Sequence, residues 1–271
     1  MQKKLLLILF LLILILSLCT GCVPGVTPEP DEPDPQPNTD PTTPNRVVMV
    51  ELFVAPTCTY CPTAKEYMAR LLDEYGFDKL VVLEEYAWNY GEYTGWATPE
   101  TISRFYEYVN NSESDGGTPD AYFNGLNEYV GHNDCSYYKY KKAIMDELDK
   151  PAKIDISASY NVNGSTVSIE GNIKNISSEN LSNIVVSAMI YEDSVSLGNY
   201  TANHVVRDII NPEESGQIIE SLSTETSYEF SLVTGPLNYV KYMSNIHVVV
   251  FVQAPGTSTK EILQALYVRI N

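Results

Sequence analysis

From Val47 to Val54 the chain is almost continuously apolar, the pattern of a strand buried on both faces. The run breaks at Ala55-Pro56-Thr57. From Thr59 to Tyr75 the apolar positions Ala64, Tyr67, Met68, Leu71 and Leu72 recur at helical spacing, and Gly76 stops the helix. Leu80 to Leu83 reads as a second buried strand, followed by a polar, aromatic loop from Tyr86 to Trp96. Thr98-Pro99-Glu100 is an N-cap with proline at the first helical position, and it opens a helix through Val109. After the turn Asp115 to Pro119, Ala121-Tyr122-Phe123 forms a short strand closed by Asn124-Gly125, a hairpin signal. Ser136 to Leu148 is a last amphipathic helix. The order β-α-β-α-β-β-α predicts a layered sheet with helices on its faces.

Beyond Pro151 the period changes to two. Ile154–Tyr160, Val167–Ile173 and Val185–Tyr191 read as alternating with period two, with turn residues such as Asn163-Gly164 between them. Further strands are expected at Thr226–Val233, Ile246–Gln253 and Glu261–Ile270. About seven short strands without a helix predict a β-sandwich. The pattern therefore gives residues 46–150 to an α/β domain and 151–271 to an all-β one.

The N-terminal region has a different texture. Lys3 and Lys4 precede an apolar run from Leu5 to Leu18, shorter than the about 20 residues of a membrane span. It ends in Leu18-Cys19-Thr20-Gly21-Cys22, which resembles the bacterial lipoprotein signal. That resemblance makes residues 1–22 a signal segment and Cys22 the lipid-modified first residue of the mature chain, although Cys19 stands where leucine is commonest. An ordinary signal peptide or an uncleaved anchor are the alternatives, and all three place the remainder outside the cytoplasm. Residues 23–45, rich in proline and acids, bury too little to fold and read as an extended stalk.

A formal charge of −18 excludes nucleic acid as a natural partner, since phosphate binding needs clustered lysine and arginine. The five cysteines, by contrast, change the picture. Cys58 and Cys61 stand two residues apart where a strand gives way to a helix. A thiol reacts as thiolate, and the unpaired N–H groups and partial positive charge of a helix N-terminus favour that form. Cys58, before the helix, is expected to be the exposed, attacking cysteine, and Cys61, within it, the buried, resolving one. A zinc site would need further ligands from His132, Cys135, His204 and His247. A structural disulfide in a domain that only binds is the other alternative. Cys135 reads as a buried apolar side chain or a third thiol. His204 and Arg207 read as the polar edge of a strand or as a site of their own. Trp88, Trp96, Tyr86, Tyr90 and Tyr93 read as core or as a peptide-binding rim.

The strand, the Cys-x-x-Cys at a helix start and the later Thr118-Pro119 resemble the thioredoxin superfamily. The resemblance covers residues 46–150. It implies that Cys58 is the nucleophile, Cys61 the resolving cysteine and Pro119 a cis-proline, with Thr118 beside it contacting substrate backbone. Two positions depart from that family. Leu52 stands where a buried aspartate is usual, six residues before the first cysteine, with Glu51 on the opposite strand face, and Thr59-Tyr60 separate the cysteines. A second resemblance, to envelope lipoproteins related to an outer-membrane protein, rests on three stretches: Gly117 to Gly125, Tyr191-Glu192-Asp193 with Asn203 to Arg207, and Val250 to Gln253. It implies a thioredoxin-like domain followed by an immunoglobulin-like β-sandwich. Together these readings predict a membrane-anchored, extracytoplasmic thiol–disulfide oxidoreductase. It would act on protein thiols or disulfides with no cofactor and no metal. A non-catalytic surface lipoprotein is the competing expectation.

Overall fold

The computed structural model describes residues 44–91, 94–110, 116–131, 135–197, 200–211, 215–254 and 260–269. Cys22, the signal segment, nearly all of the stalk, Tyr93 and His132 lie outside the described residues.

The first half follows its pattern. Strand β1 (Val48–Val54) leads into helix α1 (Cys61–Tyr75), then β2 (Leu80–Tyr86), α2 (Pro99–Val109), the hairpin β3 (Asp120–Phe123) and β4 (Leu126–Val130), and α3 (Tyr137–Leu148). Gly76 ends α1 at φ 70° and donates its N–H to Leu72 O at 2.8 Å. Thr98 and Thr101 cap α2 reciprocally, each side chain accepting the other's backbone N–H. Asn124 and Gly125 turn the β3–β4 hairpin at φ 51° and 69°, the left-handed conformation that a tight two-residue turn requires. Strands β1 and β2 pair in parallel and are buried along their whole length. Their even-numbered residues, Val48, Val50, Leu52, Val54, Leu80, Val82 and Tyr86, share one core with α1 and α3. The odd-numbered Met49, Phe53, Val81 and Leu83 line the opposite face, where Phe53 meets Phe105 and Tyr108 of α2.

The expected thioredoxin-like domain followed by a separate immunoglobulin-like sandwich does not form. Strands of both halves build one nine-stranded mixed sheet, in the order β14-β13-β7-β10-β2-β1-β3-β4, with β11 also on β7. These later strands are β7 (Leu181–Glu192), β10 (Val205–Ile210), β11 (Gln217–Leu222), β13 (Ile246–Gln253) and β14 (Ile262–Val268). The join is parallel, Val205 opposite Glu84, with the Glu84 N–H donating to His204 O at 2.8 Å. Burial explains it. A sandwich strand keeps one face in water. Here Ile184–Glu192 and Val248–Gln253 are buried at every residue. One face, with Met189, Val249, Phe251 and Ile262, packs against Val47, Met49, Val81 and Leu83 of the first half. The other face is covered by a three-stranded sheet of β12 (Ser227–Val233), β6 (Thr166–Asn175) and β5 (Ile154–Asn163). The period-two alternation of Ile154–Tyr160 belongs to that small covering sheet. A short hairpin of β8 (Val195–Leu197) and β9 (Tyr200–Ala202) completes the strands.

Buried polar contacts lock the halves. Arg46 donates to Leu263 O at 3.0 Å and to Glu147 at 2.9 Å. Arg104 of α2 reaches Gln253 of β13 at 3.1 Å. Among the described residues no helix is long and apolar enough to cross a membrane.

Candidate functional site

Cys58 and Cys61 form a disulfide, with their Cα atoms 5.4 Å apart. Cys61 is the first residue of α1 and only 3% exposed, whereas Cys58, in the preceding turn, is half-buried. The turn is held by the Cys58 N–H to Ala55 O at 3.2 Å. Tyr60 occupies the N-cap without a side-chain hydrogen bond, and the first turn carries no acid. The positive end of this helix is therefore not offset locally. It is turned on the nucleophilic candidate itself, for the Cys61 N–H donates to Cys58 Sγ at 3.0 Å.

The Thr118–Pro119 peptide is cis. The next residue, Asp120, opens β3 and pairs antiparallel with Phe53. The N-terminal end of β3 therefore lies beside the C-terminal end of β1, where the chain departs for Cys58. Thr118, Pro119 and the cysteine turn share one end of the sheet.

The acids near this end fall on two faces. Glu51 is fully buried on the α2 side, its Oε1 2.7 Å from Arg104 Nε, and it also accepts from Tyr108. The sheet lies between it and Cys61. Burial drives Glu85 well above the usual carboxylate range, and neighbouring Glu51 adds to the effect. Glu84 lies on the other face. Its register partner is Leu52, and Lys65 Nζ of α1 lies 2.7 Å from its Oε2. Burial pushes Glu84 up to about 7 against the pull of Lys65, and Asp193 pushes it further up. Lys65 also donates to Tyr86 Oη at 3.3 Å, and Glu84 and Tyr86 hold its ammonium above the usual lysine range despite burial. Sequence reasoning missed this pair because it ended the strand at Leu83. The signal was Val82-Glu84-Tyr86, an alternation that continues the strand to Tyr86.

The other candidates separate. Cys135 is a half-buried free thiol, raised by burial, two residues before α3. Tyr137, at the start of α3, donates to Glu74 in the last turn of α1, so this end of α3 lies far along the helix from the disulfide. Among the described residues no group of three or more His, Cys, Asp or Glu is arranged to hold a metal ion. Arg207 is not a polar edge in solvent. It is 2% exposed, paired with Glu192 at 3.0 Å, and donates to Gly95 O at 2.9 Å in the aromatic loop. His204, at φ 56°, takes an Asp193 carboxylate oxygen on its backbone N–H at 2.7 Å, and His247 Nε2 lies 3.2 Å from the same carboxylate. Trp96 is buried and stacked on Tyr86 at 4.7 Å, Trp88 packs on Phe105 at 5.7 Å, and Tyr90 and Tyr60 remain exposed.

Similar folds occur among solved structures. HBP35 of Porphyromonas gingivalis has 17% identity and a TM-score of 0.62, over 82% of this chain and 74% of that one. An Agrobacterium tumefaciens protein has 22% identity and a TM-score of 0.55, over 83% of this chain and 96% of that one. A domain of the outer membrane lipoprotein Omp28 from Porphyromonas gingivalis has 23% identity and a TM-score of 0.31, over 44% of this chain and 89% of that one. Among curated proteins none matches the chain. A family model does match, over residues 49–253: the chain belongs to the family described as a protein of unknown function, DUF1223.

Proposed function

We propose that this protein carries out thiol–disulfide exchange on protein cysteines through Cys58 and Cys61, outside the cytoplasm and anchored to the cell envelope through Cys22. What supports this reading in the first half is the cysteine pair where β1 gives way to α1, with Thr118 and Pro119 at the same end of the sheet. The single observation that carries the proposal is the asymmetry of the pair. Cys58 is half-buried and its Sγ accepts a helix N-terminal N–H at 3.0 Å, while Cys61 is buried. That arrangement favours a thiolate at the attacking position and keeps the resolving thiol for the intramolecular step.

In the exchange a substrate thiolate attacks Cys58 Sγ, the Cys58–Cys61 bond breaks, and Cys61 leaves as thiolate. A second substrate thiolate then attacks the mixed disulfide and releases Cys58. The substrate dithiol becomes a disulfide and two electrons pass to the cysteine pair; the reverse order reduces a substrate disulfide. In this reading Thr118 and Pro119, at the same end of the sheet as the cysteine turn, meet the substrate backbone.

The test uses the reduced protein and Cys61→Ser. Alkylation of Cys58 is expected to titrate well below the about 8.5 of a free thiol. Cys61→Ser is expected to hold a stable mixed disulfide with glutathione through Cys58. An ordinary Cys58 titration together with no mixed disulfide would leave the pair a structural staple in a binding protein.

A further inference from the structure

We propose that Tyr267, His247 and Asp193 form a second reactive site, at which the Tyr267 hydroxyl takes the acyl group of an activated ester or thioester and passes it to water. The site shares no residue with the dithiol and does not draw on the exchange reading. Asp193 follows β7, His247 is the second residue of β13, and Tyr267 is the last but one of β14. His247 Nε2 is 3.2 Å from Asp193 Oδ2, and His247 Nδ1 is 2.8 Å from Tyr267 Oη. A carboxylate only accepts hydrogen bonds, so Nε2 carries the ring hydrogen and Nδ1 is left to accept from the Tyr267 hydroxyl. A hydroxyl on a base, with the base held in one tautomer by a carboxylate, is the arrangement that turns a weak hydroxyl into a nucleophile.

Each member is held by packing of its own. His247 stacks on Tyr191 with ring centroids 4.9 Å apart, and Tyr267 stacks on Phe77 at 4.4 Å. Asp193 Oδ1 accepts the His204 N–H at 2.7 Å, and the Asp193 N–H donates to Asn245 O at 3.0 Å. The side chains are nevertheless not sealed: Asp193 is 31% exposed, His247 26%, and Tyr267 is half-buried. The nearby Glu192–Arg207 pair shows the contrast, since it is fully buried and serves only to join strands and loops. Burial, together with Asp193, holds the Tyr267 phenol above its usual range. It is therefore neutral at rest and needs a base in contact with it at the moment of attack, which is what His247 supplies.

A cleft of about 470 Å³ opens beside Tyr267, and Phe77, Asp78, Asp155, Leu266 and Arg269 are among the residues that line it. Its two acids and the formal charge of −18 disfavour a phosphate ester. An uncharged acyl carbonyl fits, with its apolar part against Phe77 and Leu266. Arg269, paired with Asp78 at 2.9 Å, lines the same cleft and brings positive charge to the side where a carbonyl oxygen would turn negative. The leaving group follows from the nucleophile. A phenol titrates near about 10, so its phenolate displaces groups no more basic than itself. That admits aryl esters and thioesters and excludes alkyl esters.

The step balances as follows. Tyr267 Oη attacks the acyl carbon while its proton passes to His247 Nδ1, and the imidazolium is paired with the Asp193 carboxylate. The bond from the acyl carbon to the leaving oxygen or sulfur breaks, and the leaving group departs with the proton from His247. The product is an acyl ester of Tyr267. Water then attacks that ester as His247 takes its proton. Tyr267 leaves with its electron pair and recovers the proton, and a carboxylic acid is released.

The experiment treats the oxidised full chain with 4-nitrophenyl acetate near neutral pH and reads acetylation residue by residue by peptide mass spectrometry. Tyr267 is expected to be acetylated about tenfold or more faster than Tyr90, although Tyr90 is 61% exposed and Tyr267 is half-buried. Once the reagent is spent, the acetyl group is expected to leave Tyr267. His247→Ala is expected to lose the preference for Tyr267, and added imidazole to restore it, a rescue that a merely structural histidine does not show. Asp193→Asn is expected to shift the ring hydrogen to Nδ1, read from the imidazole nitrogen resonances, and to slow Tyr267 acetylation by about tenfold or more. If wild-type Tyr267 is acetylated no faster than Tyr90, the site is overturned, whether or not the variants fold. Acetyl that stays on Tyr267 would overturn the transfer to water, and a loss in His247→Ala that imidazole does not restore would overturn the role of His247 as base.

Discussion

Gly125 and Asp120, five residues apart on the β3–β4 hairpin, show how single positions are fixed by what surrounds them. Gly125 sits at φ 69°, and a Cβ there would lie 1.8 Å from Lys260 O. Backbone cannot yield as a flexible side chain does. Gly125→Ala is therefore expected to cost about 3 kcal/mol or more, read as a lowered urea midpoint, and an unchanged midpoint would show that the hairpin is not seated on this part of the chain. Asp120 is fully buried, and burial, with Glu128 nearby, raises its carboxyl to about 8. The folded state thus holds a proton that the unfolded chain releases near 3.8, so this group's contribution is complete at low pH and is lost as pH rises towards about 8. Asp120→Asn is expected to raise the melting temperature at pH 8 relative to wild type and to change it much less at pH 4; an equal shift at both would remove titration as the cause. At this scale the sequence disclosed the cysteines and Thr118-Pro119, because each is a local motif. It did not disclose Glu84. That residue matters through the strand opposite it, and a register between strands separated by a helix is not written in either segment alone.

At the scale of elements, the helices were the most legible part. Their signals are local: Gly76 after α1, Thr98-Pro99 before α2, Ser136 before α3. Thr98 is buried and its hydroxyl accepts the Thr101 N–H at 3.2 Å, so Thr98→Ala leaves helix donors unsatisfied in the core. The expected cost is about 1 kcal/mol, read by chemical denaturation, with Thr98→Ser restoring most of it. No recovery in the serine variant would point to lost packing of the methyl group instead. The later strands were harder. β10 carries Val205-Val206-Arg207-Asp208-Ile209-Ile210, and the charges in its middle break any apolar period. They are tolerated because Arg207 meets Glu192 and the loop carbonyl of Gly95, both distant in sequence. A buried ion pair is invisible to a pattern that scores charge as exposure. Ile246–Gln253, in contrast, announced its burial on both faces through Val248-Val249-Val250-Phe251-Val252, and this is the feature that a sandwich strand does not have.

At the scale of the molecule, the shared sheet makes the two halves one folding unit. The core of Met49, Val81 and Leu83 with Met189, Val249 and Phe251 belongs to neither half alone, and β2 without β10 would end in an open edge. Both tryptophans, Trp88 and Trp96, are in the first half, so their fluorescence reports that half, whereas far-ultraviolet circular dichroism sums over the helices and strands of both. Tryptophan fluorescence and far-ultraviolet circular dichroism are expected to give one coincident denaturant transition, since unfolding either side strips the other of its buried face. Two midpoints would instead mean independent domains that touch. Phe251→Ala sharpens the test. Phe251 is fully buried in the second half, against side chains of the first, and its loss is expected to cost about 3–5 kcal/mol. In a shared core that cost moves the tryptophan transition as far as the dichroism transition. In two independent domains it leaves the tryptophan transition where it was.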